Sequence, residues 1–290
     1  MANANDGRVS RLRSVLASSS AQTDAFLNHT SRLLSTSSGI DNVVGTVLFT
    51  ATLAQSQLTR ILARRYDKLA LSLASKASEV ILPGETIVAS IEAPDSRLAR
   101  TCAGLKALAA TSADVWMFLR LFGLFHIYRW ASEFYETQHR DFVMKLLVWA
   151  QISSAAMFQL LENIAYLASK GVLSGGKWER RATRWMAISS RFWMGQVVLE
   201  GLRLLRVRQL NWNEEFGAEK QDDAGQVQVQ SEILRERWRR DFYGNAGWLP
   251  LTLHLSYEDE TSSPVSEAYQ SFFGLIPSIS GLLDAWKDTA

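Results

Sequence analysis

The chain has 290 residues, 47% of them hydrophobic and 21% charged, with a formal net charge of +2. This is a globular composition whose length allows one or two domains, and its charge is too balanced to imply a nucleic-acid-binding protein. The 5 prolines suit long helices, and the single cysteine, Cys102, excludes an intramolecular disulfide and fits a reducing compartment.

Residues 1–35 lack the apolar core of a secretory signal. Arg8, Arg11 and Arg13 among serines give a mild transit-peptide character. The spacing of Val9, Leu12, Val15 and Leu16 favours a plain amphipathic turn. From Ser38 the pattern changes. Ser38 and Asp41 have near capping-box spacing, and an apolar stripe recurs from Ile40 through Val44, Val47, Ala51 and Ala54 to Leu73. It predicts a long helix that Pro83-Gly84 ends.

The second half of that helix is basic and amphipathic. At about 100° per residue, Arg60, Arg64 and Lys68 gather opposite Leu58, Leu62, Leu69 and Leu73, with Ile61 beside the apolar stripe. This is the pattern of a helix lying in a membrane interface, and equally of a solvated face over a protein core. Arg65 interrupts the apolar side and Leu71 the charged one.

A second apolar zone covers Val115–Ala131, interrupted by Arg120 and Arg129. A third, Leu146–Ala168, carries only Glu162 and reads as a membrane span or a buried bundle helix. A fourth, Ala187–Leu205, is amphipathic. Asn213–Ser231 is polar and reads as a mobile loop; the basic run Arg235–Arg240 and Trp248-Leu249-Pro250 follow. The last zone, Ala268–Leu283, contains Gly274, Pro277 and Gly281 and predicts a membrane or re-entrant segment. The organisation is therefore an N-terminal segment (1–35), a helical membrane-associated region (36–210), a polar loop (211–231) and a C-terminal basic and apolar segment (232–290). The fold class is all-α, without a sheet core.

Chemistry-bearing motifs are weak. Gly171–Lys177 nearly has phosphate-loop spacing but places Trp178 where Ser or Thr should meet magnesium, and it follows a helical pattern, so it reads as a loop between helices. His29, His126, His139 and His254 have no metal-binding spacing, and Asp41, Asp114, Glu133 and Glu162 are scattered. No catalytic residue, metal or cofactor is expected. The Arg235–Arg240 run reads as a solvated or lipid-facing patch, with nucleic acid the disfavoured alternative. Five Trp–basic pairs, Arg129-Trp130, Lys177-Trp178, Arg184-Trp185, Trp238-Arg239 and Trp286-Lys287, suit a membrane interface or helix packing.

Four segments in order resemble fungal proteins of the peroxin-eleven family, nearest its divergent C-type branch. They are DAFLNHTSRLLSTSSGIDNVVGTVLFTATL (Asp24–Leu53), LRLFGLFHIYRWA (Leu119–Ala131), LLENIAYLASKGVL (Leu160–Leu173) and FFGLIPSISGLLDAWK (Phe272–Lys287). The resemblance implies a non-enzymatic protein of the peroxisomal membrane that promotes elongation, proliferation and fission. It implies amphipathic-helix insertion, anionic lipids as partners, self-association into a homo-oligomer and cooperation with fission machinery. The remodelling helix is assigned to Leu58–Lys76. A soluble helical-bundle adaptor, or a channel with Arg120 and Glu162 lining a polar path, are the alternatives. Lys170, Lys177, Arg180, Arg181 and Arg184 place their loop on the cytosolic side.

Overall fold

The computed structural model describes residues 22–78, 97–137, 141–218 and 224–290, and the regular elements among them are all helical, as the sequence predicts. In chain order they are α1 (22–34), α2 (Ser37–Ser78), α3 (Arg97–Arg120), α4 (Gly123–Glu136), α5 (Phe142–Ser169), the single turn α6 (Gly176–Glu179), α7 (Ala182–Ala218), α8 (Ala224–Leu255) and α9 (Glu267–Asp288). The stripe from Val9 to Leu16, the Pro83-Gly84 stop and His139 lie outside the described residues.

Helix α2 begins two residues before its expected cap. The Thr36 hydroxyl accepts from the Gly39 amide at 3.0 Å, which satisfies one of the free donors of the first turn. Asp41 is released from capping and accepts from the Trp116 indole at 2.6 Å, tying α2 to α3. The apolar zone Val115–Ala131 is two helices. The chain turns at Leu121 and Phe122, the Leu121 carbonyl accepts from the Asn163 amide at 3.0 Å, and α4 departs with Gly123 against the Gln159 side chain.

Helix α5 is the spine. Asp141 caps it by accepting from the Met144 amide at 2.7 Å. Gly171, at φ +72°, ends it, and the Val172 amide returns to the Leu167 carbonyl at 2.9 Å in a Schellman-like closure. Gly171–Lys177 is therefore the expected inter-helix loop. Along its length α5 buries Gln151, which donates to Glu200, and Glu162, which accepts from Arg120 at 2.6 Å. The Arg120 guanidinium lies 4.4 Å above the Trp116 ring. Trp116 and Trp193 each stack or tilt against Trp248, and Phe49 and Leu251 complete the apolar centre. Ser154 of α5 donates to the Phe192 carbonyl of α7, and Ser189 of α7 donates back to Phe158.

The glycines of α9 serve packing. A Cβ at Gly274 would stand 2.7 Å from the Phe49 ring of α2, and one at Gly247 of α8 would stand 2.9 Å from Pro277. Ala268–Leu283, a membrane or re-entrant segment by its sequence pattern, lies within α9. The zone packs into the groove between α2 and α8, and among the described helices only α3 and α5 are long and apolar enough to cross a membrane. The polar segment 211–231 departs from expectation, because α7 runs on to Ala218 and α8 starts at Ala224.

These contacts set an expected contrast between two glycines. Gly274→Val forces α9 away from Phe49 and costs about 1–3 kcal/mol. Gly104→Ala, mid-helix in α3 with open space around it, stabilises by about 0.5–1 kcal/mol. Denaturant unfolding of both variants checks the pair of signs.

Candidate functional site

Two surfaces carry the residues that could meet a membrane. The first is the arm formed by the C-terminal half of α2 and the N-terminal half of α3. The helices run antiparallel: Trp116 meets Asp41 near one end, and Cys102 lies 3.2 Å from Thr59 and reaches the Gln55 carbonyl further along. The half-buried positions Gln55, Leu58, Leu62 and Tyr66 recur at helical spacing and face half-buried Leu98, Cys102, Leu105 and Ala109. Asp114 of α3 is level with Lys170 at the end of α5, and the helical rise from Arg97 to Ala113 is roughly 24 Å. The arm therefore projects beyond the end of the spine.

This geometry places each residue of the expected interfacial helix. Arg60, Arg64 and Lys68 are exposed and lie on the outer side, away from α3. Leu58 and Leu62 sit in the seam with α3, while Leu69 and Leu73, on the same side nearer the tip, and Ile61 at its margin are exposed. The apolar stripe is thus shared between helix pairing and solvent. Arg65 flanks the seam, exposed, and Leu71 stands exposed among the cations. None of Arg60, Arg64, Arg65 and Lys68 forms a salt bridge among the described residues.

The second surface was not read from the sequence. At about 100° per residue α4 has three faces. Gly123, Ile127, Trp130 and Phe134 turn to α5, where Phe134 packs edge-on against Trp149 at 5.9 Å. His126, Arg129 and Glu133 make a polar face, the last two paired at 2.8 Å. Leu124, Tyr128 and Tyr135 make a third, exposed face. Phe125 (73% exposed) and Tyr128 (74%) continue along α4 the exposed apolar residues Val115, Phe118, Leu119 and Phe122 at the end of α3, and Phe142 (77%) and Leu146 are exposed at the start of α5. The signal was present in the Leu119–Ala131 segment. Its apolar residues run on as a single zone in the sequence because the break at Leu121 is not marked by Pro or by an N-cap side chain.

Arg120 and Glu162, the residues of the polar path considered from sequence, meet each other directly inside the aromatic centre. Among the described residues no group of three His, Cys, Asp or Glu side chains is placed to hold a metal.

The corner that displays Phe142 is held by Asp141. Its carboxylate accepts from Arg206 of α7 and from the Met144 amide. The Arg206 hydrogen bond first, and the Met144 amide second, hold its pKa below the ordinary value of 3.8. A depressed carboxyl contributes stability above the unfolded value and loses it as pH falls through the folded one. Asp141→Asn is therefore expected to lower the melting temperature at neutral pH, and the gap to the parent should close as pH drops below 3.8. Thermal melts across that range check it.

The family described as Peroxisomal biogenesis factor 11 (PEX11) matches residues 95–286. That range contains α4, α5 and the exposed apolar band from Val115 to Tyr128, and it begins beyond Leu58–Lys76. No curated protein and no solved structure matches the chain.

Proposed function

This chain belongs to the PEX11 family of peroxisome biogenesis factors, and we propose that it works at the peroxisomal membrane, binding one leaflet and elongating it ahead of fission. The observation that carries this reading is the run of exposed Val115, Phe118, Phe122, Phe125 and Tyr128 where α3 passes into α4. So many exposed large apolar side chains on one stretch of chain are unusual on a soluble monomer, and mixed Phe and Tyr with a polar flank suits the depth of lipid headgroups. It lies inside the family match and between α3 and α5, the two helices apolar enough to enter a bilayer.

The arm supplies the electrostatic part. Arg60, Arg64 and Lys68 point outward without carboxylate partners, and each contributes about 1 kcal/mol of attraction at an anionic surface. Leu69, Leu73, Ile61 and Leu71 are exposed and add apolar area near the tip. Leu58 and Leu62 join them only when α2 parts from α3, so insertion of the full stripe is coupled to opening the hairpin. Lateral pressure from inserted side chains, multiplied by self-association into a homo-oligomer, bends the leaflet without covalent chemistry. Fission machinery then acts on the elongated membrane.

The α2–α3 pairing argues against α3 as an upright span. A bilayer around α3 would also bury Arg60, Arg64, Arg65 and Lys68 of its partner, at about 2.5–3.5 kcal/mol for each central charge. An in-plane arrangement, with α3 and α4 lying along the surface, avoids that cost.

The test is a tagged full-length chain imaged beside a peroxisome marker. The parent is expected on peroxisomes and to elongate them when overproduced. Phe118→Ser/Phe125→Ser/Tyr128→Ser should fold, since all three side chains are exposed, yet leave the membrane or fail to elongate it. Normal elongation by that variant contradicts the band as the inserting surface.

A further inference from the structure

Of the five Trp–basic pairs in the sequence, four have their indoles covered. Trp130 and Trp185 are half-buried, Trp238 donates to the Leu204 carbonyl under Arg208, and Trp286 lies against His29. Trp178 is the exception, 41% exposed at the connection between α5 and α7. Around it Lys177, Arg180, Arg181 and Arg184 are exposed, against a single local carboxylate, Glu179. Lys177, Arg180 and Arg181 form no salt bridge among the described residues, and Arg184 only a long one to Glu258 at 3.8 Å.

We propose that residues 170–184 form a docking loop for phosphate-bearing anionic lipid headgroups, with Trp178 entering the headgroup layer and Lys177, Arg180 and Arg181 holding the phosphates. This rests on the membrane reading given above and adds a second, separate contact to it. Placement supports the lipid over another polyanion. Lys170 pairs with Asp114, one residue from Val115 and one helical turn from Phe118, so the loop sits beside the apolar band. It also leaves the bundle at the end from which the arm projects, which puts the cations of both elements at one pole. Cations beside an exposed indole and a run of exposed apolar side chains match a bilayer surface, where charge and insertion act together.

The loop is shaped to stay open. Gly171 (φ +72°) stops α5, and Gly175 (φ +130°) turns the chain so that its carbonyl accepts from the Trp178 amide at 2.8 Å. A Cβ at Gly175 would meet the Trp178 ring at 3.7 Å, and the indole tilts against Trp185 at 6.0 Å between centroids, so its position is set while part of it stays exposed.

The experiment is co-sedimentation of the full-length chain with phosphatidylcholine vesicles, with and without phosphatidylserine. Lys177→Gln/Arg180→Gln/Arg181→Gln should weaken binding to the phosphatidylserine vesicles by about a hundredfold, from about fivefold per cation, and should flatten its salt dependence. Trp178→Ala should weaken it severalfold while leaving the melting temperature unchanged. A polarity-sensitive dye attached through Trp178→Cys in a Cys102→Ser background should shift to the blue on those vesicles. The inference is overturned if the parent binds, Arg64→Gln/Lys68→Gln weakens it, and the loop variants and the dye do not respond. It is likewise overturned if the loop substitutions abolish binding to a short RNA but spare the vesicles. A parent that binds neither vesicle overturns the membrane reading itself.

Discussion

The Arg120–Glu162 pair is the contact on which the arrangement of helices depends. Glu162 is buried in the C-terminal third of α5, where an unpaired carboxylate would be costly, and Arg120 at the last turn of α3 is the cation that meets it. The guanidinium in turn lies over Trp116 and beside the stacked Phe158 and Trp193 rings, so one side chain joins α3, α5 and α7. Removing either member alone leaves a charge in an aromatic cage. The pair therefore fixes where α3 stops, and with it where the chain must turn at Leu121 and send α4 outward. The exposed band exists because that turn is fixed.

From this junction the molecule divides its labour. On one side α5, α7 and α8 bury a ladder of polar bonds, Gln151 to Glu200, Ser154 to Phe192 and Asn245 to Val197, which hold the helices in register. On the other, α2 and α3 run past the end of the spine paired with each other. α9 closes the base of α2 through the tight approach of Gly274 to Phe49 and of Gly281 to Asn42. The rigid part presents the band, and the projecting part presents cations. In the proposed function the first enters the leaflet and the second finds it.

How much of this was legible in the sequence follows from which physical signal each part carries. The all-α class and the course of α2 and α5 were visible because their apolar residues keep a helical period. The family resemblance was visible in segments around Leu119 and Leu160 and agrees with the match over residues 95–286. Three features were not legible. The glycines of α9 mark close helix approach as readily as they mark a membrane segment, and only the position of Phe49 decides. The break at Leu121 depends on a long-range bond from Asn163. Leu58 and Leu62 satisfy the amphipathic pattern whether they face lipid or Cys102 and Leu105 of α3, since periodicity reports a face and not its occupant.

The central claim is that the folded bundle meets the bilayer along the outer side of α3 and α4 while its polar spine stays closed. Amide hydrogen exchange of the full-length chain, with and without anionic vesicles, addresses this directly. The account requires slower exchange across α4 and the second half of α3 on vesicles, with the buried stretch of α5 from Val148 to Ala168 unchanged. Unaltered exchange in α4, or faster exchange through that stretch of α5, would contradict it.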